Sequence, residues 1–437
     1  MESSDVSTKQ RRIAELARIH PGVSFTSLAY HIDLRWLYEA YQRTRKDGAV
    51  GVDGQTAEEF AQEIGDRLRD LLEQAKSGTY VAPPVRRVHI PKGTSGETRP
   101  IGVPSFADKV LQRAVHMVLE PLYEQEFSDS SYGFRPGRSA HDALQALWKG
   151  LMEMGGAWII DLDIRKFFDT LDHHHMREIL KRRVCDGVLL RLIGKWLKAG
   201  VLEKGEVSYP DRGSPQGGVI SPMMSNIYLD EVLDKWFTQQ VKPRMRGKAF
   251  FVRFADDAVL AFERKEDAER VMAVLPKRFE KYRLSVHPEK TRLVYFGKPG
   301  KREKENGGSP RWEKFSFLGF THYWGRSQKG AWVVKRKTES KRLTRALTAI
   351  AEWCRRNRHQ PLAWQQQGLT QKLRGHYAYY GITGNMRCLS NFLYEVIRTW
   401  RKWLMRRGRA QYIPWARFNL LLQRYPLPPP RIMHSYA

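Results

Sequence analysis

The chain has 437 residues, 41% of them hydrophobic and 11% aromatic, with a formal net charge of +28 and a sequence pI near 10. That length exceeds one ordinary domain, and that composition excludes a disordered chain. The charge points to a polyanionic partner, nucleic acid first. No apolar run is long enough for a membrane span. The N-terminus lacks an apolar signal core and carries Glu2, Asp5 and Glu15, which a transit peptide avoids. Cys185, Cys354 and Cys388 form no CxxC pair, so a reducing, cytoplasmic compartment is expected.

In chain order, the first twenty residues are polar and are expected to be loosely ordered. Apolar residues at helical spacing (Leu28, Ile32, Leu34, Leu37, Tyr41) predict a helix over 27–43. A Gly-rich loop fills 46–56, and Thr56 with Glu59 three residues on predicts a capping box for a helix through Leu72. VRRVHIPK and TRPIGVP around GTSGE predict a basic hairpin over 85–104. A helix is expected over 108–122, and AWIIDLDI reads as a buried strand ending in carboxylates. Asp172 is expected to cap the next helix, with further helix over 176–200.

SPQGGVISPMMSNIYLDEVLDKWF (214–237) predicts a tight turn feeding a helix. KAFFVRFADDAVLAF (248–262) predicts two apolar strands around a two-residue acidic turn. A helix over 266–282, a strand over 291–296 and a charged loop over 297–311 follow. FSFLGF and AWVVKRK predict a strand pair, and the rest is helical down to LPPPR. No internal repeat is present. Hairpin-joined strands with helices on one side imply an α+β centre.

The charge is uneven. Residues 331–437 hold 21 Lys and Arg against Glu339, Glu352 and Glu395, a net +18, together with six of the 13 tryptophans. Basic helices interleaved with aromatics suit a nucleic-acid surface, where cations meet phosphate and flat rings stack on bases. Most of these tryptophans, taken singly, are expected in the core of a helical bundle.

The sharpest local chemistry is Asp256-Asp257 between apolar flanks. Two adjacent acids resist burial and repel each other unless a cation neutralises them. Alone, the pair reads as an ordinary exposed hairpin turn. A second strand-borne cluster, Asp161 and Asp163 in IIDLDIRKFFDTLDH, changes that reading. Two such clusters can converge on two metal ions about 3.5–4 Å apart, the geometry of nucleotidyl transfer. Hard oxygen ligands favour magnesium. His173, His174 and His175 point in different directions at a helix start, so a shared zinc site is not expected.

These motifs resemble, in family order, those of reverse transcriptases encoded by group II introns: SYGFRPGRSAHDAL, DIRKFFDTLDH, SPQGGVISPMMSNIYL, RFADDAVL, HPEKTRLVYFG and FSFLGF. The second acidic motif is usually YADD, and Phe254 here stands in place of Tyr. The resemblance implies a right-hand polymerase, with an N-terminal extension and the start of the fingers in 1–84, fingers and palm in 85–330, and an all-α thumb and maturase domain X in 331–437.

It implies Asp163, Asp256 and Asp257 as catalytic metal ligands, completed by the backbone carbonyl of Ile164, with two Mg2+ ions for which Mn2+ can substitute. Asp161 has no family role and reads as secondary. Nucleotide-binding roles fall on Lys92 and Arg99 in the hairpin, Phe168 as a steric gate against the ribose 2′ hydroxyl, Gln216 and Gly217 in the PQGG turn, and Lys290. The implied partners are deoxynucleoside triphosphates, an RNA template with a DNA primer or target DNA, and the intron RNA. Intron RNA binding would promote splicing and retrohoming, in a bacterial cytoplasm with nucleoid association on target DNA. No His-Asn-His segment with paired cysteines follows domain X, so the form without a nuclease domain is expected. The competing readings are a domesticated bacterial reverse transcriptase serving defence or CRISPR spacer acquisition, and an RNA-binding splicing factor with a vestigial polymerase site.

Overall fold

The computed structural model describes residues 3–91, 98–209, 211–213, 217–299, 313–407 and 412–435. It is a mixed α and β structure with a helical C-terminal region. The strands are β1 (Val85–Pro91), β2 (Thr98–Val103), β3 (Gly156–Leu162), β4 (Val201–Glu203), β5 (Glu206–Ser208), β6 (Ala249–Phe254), β7 (Asp257–Phe262), β8 (Arg292–Gly297), β9 (Phe315–Phe317), β10 (Phe320–Arg326) and β11 (Trp332–Thr338). Among the described residues they form three sheets, ordered β2-β1-β4-β5, β6-β7-β3-β8 and β11-β10-β9. The chain divides into two compact units, residues 1–143 with 159–293, and residues 144–158 with 294–437. Among the described residues no helix is long and apolar enough to cross a membrane.

In the first unit the expected hairpin forms with Val88 opposite Ile101 and Ile90 opposite Arg99. β4 adds to it in parallel, pairing Val85 with Val201. The short strands β4 and β5 lie just beyond the expected helical stretch, in a segment given no element from sequence, and 176–200 itself reads as helix from periodicity alone. The structure has two helices there, His173–Lys181 and Gly187–Leu197. The break falls where the Asp186 carboxylate accepts from the amides of Val188 and Leu189 at 2.9 and 3.1 Å, a strong helix start. Asp172 caps the preceding helix as expected, accepting from His175 N at 2.9 Å.

The helix Phe106–Tyr123 is buried nearly all round, from Val110 to Leu122, as a central helix must be. Against it packs the N-terminal segment, expected from its polarity to be loosely ordered. Residues 3–19 are a helix rather than a loose tail. Val6, Ile13 and Ala17 are buried, and Gln10 Nε2 donates to Met117 O at 2.9 Å. The apolar stripe is too sparse to stand out in a polar segment and acquires its value only from the helix that covers it.

The segment expected as one helix over 27–43 is a short turn, Leu28–His31, followed by Leu34–Arg43. Asp33 restarts it by accepting from Trp36 N at 2.8 Å. The Thr56/Glu59 capping box is present, but its helix stops at Gln62 and a second runs from Ile64 to Ser77.

In the second unit β10 lies between β9 and β11, so the two expected strands flank a third. The turn Leu318-Gly319 sits inside FSFLGF and returns the chain as β10. The helices that follow among the described residues are Ser340–Asn357, Leu362–Tyr380, Met386–Leu404 and Trp415–Arg424. Leu389, Phe392, Val396, Trp400 and Leu404 make one buried stripe at spacings of three and four. Trp400 is fully buried, and its Nε1 donates to Gln365 Oε1 at 2.9 Å. Residues 144–158 belong to this unit: Trp148 Nε1 donates to Val334 O at 2.9 Å, and Arg336 Nη1 to Leu144 O at 3.3 Å.

Candidate functional site

Strands β7 and β3 are neighbours at the centre of their sheet. β7 is buried along its length beyond Asp257, and β3 is buried at Ala157, Ile159, Ile160 and Leu162; each carries acids at one end, where a carboxylate reaches water. β6 and β7 pair from Ala249↔Phe262 to Phe254↔Asp257. The two-residue turn is therefore Ala255-Asp256, not Asp256-Asp257 as the sequence suggests. Asp257 is exposed as the first residue of β7, and Asp256 is half-buried in the turn.

Asp163 follows directly after β3, with its side chain 37% exposed. Its backbone is pinned by three hydrogen bonds from two residues. Thr291 Oγ1 accepts from Asp163 N at 3.1 Å and donates to Asp163 O at 3.2 Å, and His287 N donates to Asp163 O at 2.8 Å. Arg165 N donates to Ser285 O at 2.9 Å. Those bonds bracket the Ile164↔Val286 bridge. In such a pair the central residue's own amide and carbonyl face away from the partner strand, so the Ile164 carbonyl is directed away from residues 285–287.

The helix Ser221–Leu229 touches both acidic strand ends. Tyr228 packs on Phe167, with centroids 6.3 Å apart, four residues beyond Asp163. Asn226 bonds to Arg253, whose Nη1 also donates to Ala255 O at 3.0 Å. Both strand ends accordingly lie at one edge of the sheet. Lys290 Nζ stands 3.5 Å from Asp163 Oδ2. Asp161 is held apart, paired with Arg292 at 3.4 Å.

Phe168 lies in the short helix Phe167–Thr170, buried, edge-on to Phe167 at 5.3 Å. The segment leading to the PQGG turn is clamped beside it. Gly213 N donates to Leu171 O at 2.8 Å, and His173 Nε2 meets Gly213 O at 2.6 Å. His175 Nδ1 meets Asp172 Oδ1 at 2.9 Å, so these two imidazoles serve different partners.

Gly217 has φ of +111°, and a Cβ there would lie 2.5 Å from Ile101 Cγ2 and 2.7 Å from Gly102 O. Gly217 thus rests on β2, whose Arg99 is exposed three residues before Gly102. Lys92 and Gln216 lie outside the described residues.

Among the described residues no three His, Cys, Asp or Glu side chains form a metal cluster by themselves. The donors present fit a hard divalent cation nonetheless. Magnesium is ordinarily held by one or two carboxylates with substrate phosphates and water completing its shell, and Asp163, Asp256 and Asp257 offer carboxylates at one sheet edge.

Two positioning residues were not singled out from sequence, Thr291 and His287. A polar Thr in the second position before an apolar strand, in KTRLVYF, is the signal that could have marked the first. For His287 no sequence signal exists, because its amide rather than its side chain holds Asp163.

The family model described as reverse transcriptase (RNA-dependent DNA polymerase) matches residues 90–322. Protein YkfC of Escherichia coli (strain K12) is 34% identical over 287 residues, 58% of this chain and 75% of YkfC. The group II intron-encoded protein LtrA of Lactococcus lactis subsp. cremoris is 40% identical over 206 residues, 46% of this chain and 33% of LtrA. Nuclear intron maturase 2, mitochondrial, of Arabidopsis thaliana is 28% identical over 177 residues, 31% of this chain and 24% of that protein. The chain therefore aligns with three-quarters of YkfC but with only a third of LtrA. With more than half of its length inside the matched family, this chain belongs to the reverse transcriptases, RNA-directed DNA polymerases, and is related to proteins encoded by group II introns.

Proposed function

We propose that the chain is the polymerase and maturase of a group II intron, copying RNA into DNA by two-metal nucleotidyl transfer and binding the intron RNA through its C-terminal helices. The position of Asp163 directly after one central strand, and of Asp257 at the start of the strand beside it, carries the catalytic part. Asp163, Asp256 and Asp257 would hold two Mg2+ ions, with the Ile164 carbonyl as a further ligand. Bound metal supplies activation of the primer 3′ hydroxyl and neutralisation of the leaving pyrophosphate.

The protein's own residues bind and orient. Arg99 and Lys92 offer charge-assisted bonds to the triphosphate, and Gln216 and Gly217 would lie under the incoming nucleotide. Phe168 would exclude a ribose 2′ hydroxyl. Lys290, beside Asp163, is placed to bind an anionic phosphate once the carboxylate turns to its cation. In this reading the β1–β2 hairpin is part of the fingers, the β6-β7-β3-β8 sheet the palm, and the helices after residue 340 the thumb and domain X.

Two observations support the maturase part: relatives whose printed names are intron-encoded protein and intron maturase, and the net +18 of residues 331–437. Primer extension on an RNA template with Mg2+ and deoxynucleotides tests the catalytic site. Asp256→Asn is expected to abolish extension while leaving template binding within twofold. Extension by that variant at the parental rate sinks the assignment. Stimulation of splicing of the cognate intron at low Mg2+ tests the maturase role, and no stimulation counts against it.

A further inference from the structure

The turn that presents Asp256 and Asp257 is strained. Ala255 has φ of +57°, a left-handed backbone that brings Cβ against the following carbonyl in any residue but glycine. Such a conformation persists only where its surroundings impose it. Here two contacts do so from beneath the sheet edge.

The first is Arg253, fully buried two residues before the turn's centre. Its Nη1 donates to Ala255 O at 3.0 Å and to Asn226 Oδ1 at 3.0 Å. Its Nε donates to Asp234 Oδ1 at 2.8 Å, within an ion pair whose acid is likewise fully buried. The second is Gly133. A Cβ there would lie 2.2 Å from Ala255 N and 3.0 Å from its Cα, so the loop over 128–135 lies directly on the backbone of the turn.

Asn226 ties the two together, its Nδ2 donating to Gly133 O at 2.7 Å. The loop is also stitched to β6: Arg253 N donates to Ser130 O at 2.8 Å and Tyr132 N to Arg253 O at 2.9 Å. Arg135, buried and forked onto Glu124, holds the loop's own carbonyls at Ser128 and Ser131.

We propose that Arg253, Asp234, Asn226 and Gly133 are positioning residues that hold Ala255 in its left-handed conformation and thereby aim the Asp256 and Asp257 carboxylates. This rests on the reading of those two acids as metal ligands. Stability alone does not account for the arrangement, because a buried ion pair contributes little that a well-packed apolar pair would not. A guanidinium does what an ammonium cannot: its rigid fork serves the Asp234 carboxylate on one side and two further acceptors on the other.

Arg253→Lys keeps the charge opposite Asp234 and loses that fork. Mn2+ binding, followed by EPR without nucleotide or nucleic acid, is expected to weaken about tenfold. The Mg2+ concentration for half-maximal primer extension should rise by a similar factor, while affinity for template-primer stays within twofold. A role confined to stability would lower the folded fraction without moving either metal titration. Circular dichroism shows whether Arg253→Lys folds, and if it does not, Asn226→Ala, which leaves the ion pair in place, is read in the same way. Wild-type metal affinity in whichever of these variants is folded overturns the proposal. Asp256→Asn separates the two layers. If it too binds Mn2+ like the parent, the ligand reading fails. If it loses Mn2+ while the Arg253 and Asn226 variants do not, only the positioning role fails.

Discussion

Thr291 offers the cleanest perturbation of the acid on β3. Its hydroxyl accepts from Asp163 N at 3.1 Å and donates to Asp163 O at 3.2 Å, and the residue is buried at 5% exposure. Thr291→Val keeps the branched shape and removes both bonds. The carbonyl keeps a partner in His287 N at 2.8 Å, so its loss is small. The amide keeps none of its Thr291 bond, and leaving such a group unpaired costs about 1–3 kcal/mol. A total near 2 kcal/mol is expected. If that energy is spent on the placement of Asp163, it corresponds to about a thirtyfold fall in kcat/KM, at about 1.4 kcal/mol per decade. Urea denaturation gives the stability and single-nucleotide primer extension gives the rate, with Thr291→Ser as the comparator that retains the hydroxyl. A Val variant as active as the Ser variant would show that the pinning of Asp163 is irrelevant to turnover, and the reasoning would fail.

Gly217→Ala is expected to raise KM for the deoxynucleotide and lower kcat/KM by about tenfold or more, since φ of +111° is a backbone that only glycine adopts readily and its Cβ would meet Gly102 O at 2.7 Å. Steady-state extension at varied nucleotide checks this, and unchanged kinetics would mean that the close approach of Gly217 to β2 has no part in nucleotide binding. His376 is stacked on Phe392 at 3.8 Å, and burial pushes its pKa down to about 4. A depressed histidine is neutral in the folded chain while the unfolded chain protonates near 6.5, so stability is lost as pH falls from about 6.5 toward 4. His376→Phe should lessen the slope of that part of the stability profile in thermal melts across pH, with His116 and His322, also depressed by burial, supplying the rest. An undiminished slope would place the proton uptake elsewhere.

The local chemistry was legible in the sequence wherever one residue or one short pattern carries it. Thr56 with Glu59 is a capping box in both descriptions, and the two strands of the 85–104 hairpin pair as expected, while the turn expected over 93–97 lies outside the described residues. The acid pair and Asp163 were likewise visible, because an ionisable group at the end of an apolar run is conspicuous in one dimension. The interruptions at Asp33, Glu63 and Asp186 were not, because periodicity continues through a cap and only hydrogen-bond geometry separates one helix from two. The N-terminal helix escaped notice because Val6, Ile13 and Ala17 gain from burial only once the helix Phe106–Tyr123 is there to cover them.

What the sequence determined by itself is the inventory: which strands can be buried, where carboxylates interrupt them, and how strongly the last quarter of the chain is charged. Tertiary structure decided the neighbours. The order β6-β7-β3-β8 sets the two acidic strands side by side although nearly a hundred residues separate them. It places residues 144–158 with the C-terminal unit. It also shifts the acidic turn to Ala255-Asp256, and the left-handed backbone of Ala255 is disclosed by no reading of RFADDAVL, since alanine is an ordinary residue until Gly133 and Arg253 close on it. Pairing between distant strands depends on which apolar faces cover one another, and that choice is made by the whole fold rather than by any segment of it.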